Sequence, residues 1–167
     1  MERIAYVETI GMTEHELEDH LRGVETGVLA LADGGDAYAV PVSFRYDEGR
    51  FLLRMTDDGD SEKLAFLRAT ESATFVAFGQ DGTDSWSVLA RGPIAELGDE
   101  EARALREDPE AFGAVRVFDE DPSEIDVRLF ELEAESLTGR RTAGVDAWQS
   151  LVGTEGSTGE ATDPDTE

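Results

Sequence analysis

The sequence predicts a mainly β domain: about six antiparallel strands with short helices around them, curled into a small barrel. Three observations predict it. Stretches of period-two alternation recur. The clearest spans residues 37–46, where Tyr38, Val40, Val42 and Phe44 alternate with Ala39, Pro41, Ser43 and Arg45. Short turn sequences separate the β runs, among them Asp33-Gly34-Gly35-Asp36 and Asp47-Glu48-Gly49. Gly92-Pro93 interrupts a long β run, which is how a strand bends at a barrel corner.

Taken in order, residues 1–11 supply Ile4, Tyr6, Val7 and Ile10 to an arm or short strand. Thr13 and Glu16 form a capping-box pair, so a helix follows to about Arg22, with Leu17 and Leu21 as its buried stripe and Gly23 as its stop. Residues 24–32 and 37–46 are the first two strands, and 50–56 the third. Pro41 has no N–H, so it marks an edge, a bulge or a break in pairing, and a break frees backbone groups for something other than a strand. A polar loop at 57–60 leads into a short helix at 61–68. Residues 73–78 are the fourth strand and 85–97 the bent fifth. A helix at 99–106 takes Asp99 as its N-cap, and Pro109 opens another short helix towards Val117. Residues 126–139 read as one sixth strand, carrying Val127, Leu129, Phe130 and Leu132. The expected domain covers residues 1–152. Residues 153–167 form an acidic tail with no apolar side chain larger than alanine, which cannot carry a fold.

The charge is extreme. There are 39 acidic and 14 basic residues for a net charge of -25, and Lys63 is the only lysine. Phosphate backbones and anionic lipid surfaces need positive partners, so nucleic acid and membrane are both excluded as expected partners. An apolar content of 40% in periodic runs argues for a folded chain rather than a disordered acidic one. Together these point to a protein adapted to a salt-rich cytoplasm, where self-repulsion between carboxylates is screened. There is no secretory leader pattern and no apolar run of about eighteen residues, so a cytoplasmic location is expected.

Most catalytic signatures are missing. The chain has no cysteine, no GxSxG elbow and no Walker or dinucleotide loop. His15 and His20 are not at metal-binding helical spacing, so no metal site is expected. Two segments stand out. Thr56 ends a strand, and Ser61 and Lys63 open the next helix. Helix N-termini, hydroxyls and an ammonium together make a phosphate site. The alternative is a surface pair of Lys63 with Asp60 or Glu62. In the second segment Trp86, Val88 and Ala90 face one way and Ser87, Leu89 and Arg91 the other. A strand apolar on both faces fits a core on one side and a partner subunit on the other. Trp86 alone fits either core or cofactor wall.

In these residues the sequence resembles the pyridoxamine 5'-phosphate oxidase-like superfamily, and within it the small flavin-binding split-barrel proteins that include the nitroimidazole-resistance proteins. The matching stretches occur in order: Thr26 to Ala30, Tyr38 to Phe44, Arg50 to Thr56, Ser61 to Lys63, and Trp86 to Gly92. The resemblance implies a six-stranded antiparallel split β-barrel, a two-fold homodimer and FMN at its interface. It implies that Val40, Pro41, Val42 and Ser43 line the isoalloxazine ring, and that Thr56, Ser61 and Lys63 hold the phosphate. It sets Ser87 and Val88 beside the flavin, and Trp86 against the ring or the opposing subunit. Arg54 belongs with the cofactor-binding residues, at a place where nitroimidazole-resistance proteins often carry a histidine. The implied function is a flavin-dependent oxidoreductase acting on a small molecule. Alternatives are a deazaflavin-dependent enzyme, a non-enzymatic flavin carrier or sensor, and a cofactor-free dimer. The acidic C-terminus lacks the arginine-histidine segment of true vitamin B6 oxidases and argues against that activity.

The charge generates a first prediction. Circular dichroism should report loss of β structure when the protein is dialysed from molar to millimolar salt. An unchanged spectrum would contradict the salt-adapted reading.

Overall fold

A computed structural model describes residues 8–57, 62–108, 110–112 and 126–143. Strand β1 (Thr9–Gly11) leads into helix α1 (Glu14–Arg22) through the expected capping box. The Thr13 N–H donates to Glu16 Oε2 at 2.8 Å, and the Glu16 N–H donates to Thr13 Oγ1 at 3.4 Å. These bonds satisfy N–H groups that a helix start leaves without intrahelical partners. With Arg141, they hold the Glu16 carboxyl below its ordinary value, the Thr13 backbone bond contributing most. Leu17 and Leu21 are buried, and the Gly23 N–H closes the helix on the carbonyls of Asp19 and His20.

Next come β2 (Thr26–Asp33), β3 (Asp36–Asp47) and β4 (Arg50–Asp57), joined by tight turns. Helix α2 (Glu62–Ala69) precedes β5 (Ala73–Asp81) and β6 (Asp84–Gly92). Strand β7 (Ile94–Glu96), helix α3 (Asp99–Glu107), β8 (Asp126–Glu133) and β9 (Ser136–Thr142) complete the described elements.

One face of the sheet carries the main core. Phe44, Phe51 and Phe75 meet there with centroids 4.7–5.9 Å apart, flanked by Leu29, Leu53, Val88 and Leu132 and covered by Leu17 and Leu21 of α1 and Leu64 and Leu67 of α2. On the opposite face Leu52 and Leu129 pack with Leu97 and with Ala102 of α3. Arg50 ties β4 to β8 and α3. Its guanidinium lies 2.6 Å from Glu131 and 2.9 Å from Glu101. The bond from Arg50 holds the Glu131 carboxyl below its ordinary value.

The expected closed six-stranded split barrel is not found. Among the described residues nine strands form one antiparallel sheet in the order β1-β9-β6-β5-β2-β3-β4-β8-β7, with β1 and β7 as its edges and no closing ladder. The reason lies at the predicted corner. β6 ends at Gly92, Pro93 has no N–H to continue a ladder, and the three residues of β7 pair only with β8. Gly92 and Ile94 are two residues apart, yet they belong to strands far apart in the order. The sheet therefore curls at this corner while staying open. The Glu135 N–H donates to the Arg91 carbonyl at 2.9 Å across it. A Cβ at residue 92 would sit 3.0 Å from the Glu133 carbonyl carbon and 3.1 Å from the Glu135 nitrogen, so only glycine fits.

Two further expectations are corrected. Residues 126–139 form not one strand but two, separated at residues 134–135: β8 pairs with β4 and β7, and β9 with β6 and β1. The N-cap of α3 is Gly98, with no side-chain cap bond, and Asp99 begins the helix. The arm at 1–7, residues 58–61 including Ser61, and the domain boundary at 152 with its tail lie outside the described residues, as does most of the helix expected from Pro109, of which only 110–112 are described, as turn and bend.

The corner can be tested by substitution. Gly92→Ala should cost about 1–3 kcal/mol or more in urea denaturation under molar salt, because the added methyl meets backbone that cannot yield. Gly35→Ala, where nothing lies within 4 Å of the added carbon, should change stability by less than about 0.5 kcal/mol. Equal midpoints for the two variants would contradict this account.

Candidate functional site

The site begins with a missing hydrogen-bond donor. The Phe44 N–H donates to the Glu25 carbonyl, on the β2 side of β3. N–H groups alternate along an antiparallel strand, so those of residues 43 and 41 face the β4 side. Residue 41 is proline and has none. The β3–β4 ladder runs from Asp47↔Arg50 to Ser43↔Arg54 and stops there. Beyond that point β3 stays paired with β2 as far as Asp36, and β4 stays paired with β8 as far as Asp57. The two strands part, and the backbone edge of β4 at residues 55–56 faces an opening.

That opening is a cavity of about 500 Å³. Thr26, Gly27 and Val28 of β2 form its floor with Pro41, Val42 and Ser43 of β3. Arg54, Met55 and Thr56 of β4 form one wall, Phe78 of β5 stands opposite, and Lys63 reaches in from the first turn of α2. Gly27 is there because space is short. A Cβ on it would lie 2.7 Å from the Val76 carbonyl oxygen and inside the Phe75 ring's contact distance. The row Thr26–Ser43–Arg54 is set directly by strand register.

The electrostatics of this cavity run against the chain's average. With 39 acids in 167 residues, an average lining of this size would carry at least two. The described lining carries none, and it holds two cations, Arg54 and Lys63. Lys63 is half-buried at a helix N-terminus, where the macrodipole is also positive. The Arg54 guanidinium carbon stands 5.3 Å over the Phe112 ring. Burial pushes Arg54 below the ordinary guanidinium value, with Glu25 acting in the opposite direction.

The cavity brings together six residues singled out in the sequence: Pro41, Val42, Ser43, Arg54, Thr56 and Lys63. Val40 packs against the main core instead. Trp86 stacks on His20 of α1 with ring centroids 4.5 Å apart and leans on Gly79. Val88 is fully buried, while Ser87 is exposed on the outer face. None of these four lines the cavity. Ser61 lies outside the described residues. Sequence reasoning did not assign Thr26, Gly27, Val28, Met55 or Phe78 to the site. Gly27 carried a signal, since a glycine inside a strand marks close approach. Phe78 carried another, because the alternation that buries Phe75 and Ala77 turns Phe78 outward. It is 65% exposed.

The outer face continues from Phe78 across the sheet. Phe78 pairs with Ser87, and Ser87 with Arg140; Val76 pairs with Leu89, and Leu89 with Thr138. Leu89 is exposed there. Among the described residues no three His, Cys, Asp or Glu side chains are grouped to hold a metal, and no helix is long and apolar enough to cross a membrane.

Comparison with known proteins gives three findings. A family model described as Pyridoxamine 5'-phosphate oxidase matches residues 13–141. No curated protein sequence matches the chain. Several solved structures share its fold. A putative 5-nitroimidazole antibiotic resistance protein from Bacteroides thetaiotaomicron superposes with a TM-score of 0.62 at 18% identity, over 83% of this chain and 90% of that one. An FAD binding protein from Mycobacterium smegmatis gives 0.61 at 20% identity, over 79% and 97%. A putative pyridoxamine 5'-phosphate oxidase from Corynebacterium glutamicum gives 0.61 at 17% identity, over 80% and 93%.

Proposed function

The chain belongs to the pyridoxamine 5'-phosphate oxidase family of flavoproteins, and on that premise we propose that it binds FMN in the cleft between β3 and β4 and acts as an oxidoreductase on a small molecule. One observation carries the reading. In a chain of net charge -25, the described lining of this cleft holds two cations and no acid. A cleft of that charge in such a chain fits an anionic ligand.

The residues present fit the group. Lys63 at the start of α2, with the Thr56 hydroxyl and the free N–H groups of a helix start, suits a phosphate. Pro41 is exposed and Ser43 half-buried on the strand edge they leave, and the edge of β4 at residues 55–56 that faces away from β8 offers hydrogen bonds to a heterocycle. Bound FMN would supply the electron or hydride transfer. The protein's part is to bind, orient and exclude water. No side-chain acid or base is needed at the described lining for that part.

Long-range repulsion sets the conditions. In dilute buffer the chain's field opposes a phosphate over a Debye length of about 10 Å or more; in molar salt this shrinks to about 3 Å, and the contacts at Lys63 decide. The exposed Phe78 and Leu89 extend the cleft's rim onto an outer face that suits a second copy of the chain. The proposed assembly is a two-fold dimer with the cofactor at its interface.

Two predictions arise. Lys63→Ala should weaken FMN binding by roughly tenfold to a hundredfold, since a charge-assisted bond contributes about 1.5–3 kcal/mol, and Lys63→Arg should keep part of it. Flavin fluorescence quenching in molar salt reads this, and equal affinities for wild type and Lys63→Ala would remove the phosphate assignment. In light scattering under the same salt, wild type should give a dimer mass and Leu89→Glu a monomer mass. A wild-type monomer, or a dimer indifferent to Leu89→Glu, would reject the interface.

A further inference from the structure

The cleft has two unlike sides. Ser43↔Arg54 is the last cross-strand pair of β3 and β4. Backbone groups alternate between the two edges of a strand, so the next N–H and C=O on that edge of β4 belong to Thr56. They lie just beyond the end of the ladder, where the β3 residue in line is Pro41, which donates nothing. With the Thr56 hydroxyl and Lys63, this side of the cleft is polar and cationic. The other side is apolar, lined by Phe78 of β5 and Val28 of β2.

Phe78 stands apart from the core. Phe75 and Ala77 on the same strand are fully buried, while Phe78 is 65% exposed. Among the described residues its ring stacks on no other ring. Three strand spacings separate β5 from β4 in the sheet order, about 14 Å across the sheet. A fused three-ring ligand can lie across that gap. The isoalloxazine ring is such a ligand, and its two ends differ as the two sides of the cleft do. Its pyrimidine end carries N–H and C=O groups, and its other end is a benzene ring with two methyl groups.

We propose that the ring lies across the cleft with its pyrimidine edge on the Thr56 backbone and its dimethylbenzene edge on Phe78, which makes Phe78 a positioning residue for the flavin. The proposal rests on the flavin reading above but does not follow from it, because a phosphate at Lys63 leaves the ring free to lie either way round. Chemistry selects between the two. The reversed ring would set its methyl groups against the Thr56 N–H and C=O and its amide groups against Phe78, so both sets of polar groups would lose water without gaining hydrogen bonds. In the proposed orientation the methyl groups cover apolar surface that Phe78 otherwise leaves in water.

The test uses the full chain in molar potassium chloride with two ligands, FMN and its 7,8-didemethyl analogue. The analogue keeps the phosphate and the pyrimidine edge and lacks only the two methyl groups. Flavin fluorescence quenching gives both affinities. Wild type should bind FMN about threefold to tenfold more tightly than the analogue, since two methyl groups leave water. Phe78→Ala should weaken FMN binding by roughly tenfold and bring the ratio of the two affinities close to one. Lys63→Ala should weaken both ligands and leave the ratio as in wild type. A loss of folded or assembled protein scales both affinities alike, so the ratio reads the contact at Phe78 itself. A ratio near one in wild type, or a ratio or an FMN affinity unchanged in Phe78→Ala, would overturn the orientation and leave the flavin reading standing. Failure of wild type to bind FMN at all would reject the flavin reading and the orientation with it.

Discussion

A strand can pair along both edges only where both edges offer donors, and in β3 the edge facing β4 loses its donor at Pro41. The rest of the site depends on that gap. Because β3 remains paired with β2 and β4 remains paired with β8, neither strand can shift to close the opening. The parting is thus fixed by covalent structure and by the ladders on either side. It brings Ser43 and Arg54 together as the last cross-strand pair and sets Thr56 on the free stretch of β4. The chain then crosses to α2, whose first turn carries Lys63 over the same opening.

Charge gives the opening its character. Elsewhere acids dominate, and arginines are used to bind elements of the fold together. Arg50 joins β4 to β8 and α3, Arg141 joins β9 to α1 through Glu16, and Arg128 lies 3.0 Å from the buried Asp57 at the end of β4. Fully exposed ion pairs contribute little individually, and less in high salt; these are partly buried and are screened less. The described cleft lining departs from this pattern: it includes Arg54 and Lys63 and no acid. A local positive site within an acidic chain works through contact distance rather than through long-range attraction, which suits a salt-rich solvent.

What the sequence made legible was local. The capping box at Thr13 and Glu16 is a four-residue pattern and formed as expected. The break at Pro41 follows from one missing N–H and needs no tertiary knowledge. Lys63 stood out against the composition itself. What stayed hidden depends on packing between distant elements. The break between β8 and β9 falls at Ala134 and Glu135, with no glycine, proline or asparagine to announce it, and the two strands take different partners. Leu129 and Phe130 are both buried, one in each core, so β8 does not alternate cleanly. The Gly92-Pro93 bend was legible as a corner, but that the sheet stays open depended on how few residues of β7 pair. For residues 86–88 the alternation was readable. Which face the cavity opened on was decided by neighbouring strands, so Trp86 sits beneath α1 with His20.

The central claim is that the gap left by Pro41 is a flavin site. A crystal structure of the protein grown with FMN in molar salt tests it most directly. The account predicts the phosphate within hydrogen-bond reach of Lys63 Nζ and Thr56 Oγ1, with the ring system along Pro41 to Ser43. Flavin density anywhere else on the chain, or an FMN phosphate turned away from Lys63 in this cleft, would contradict it.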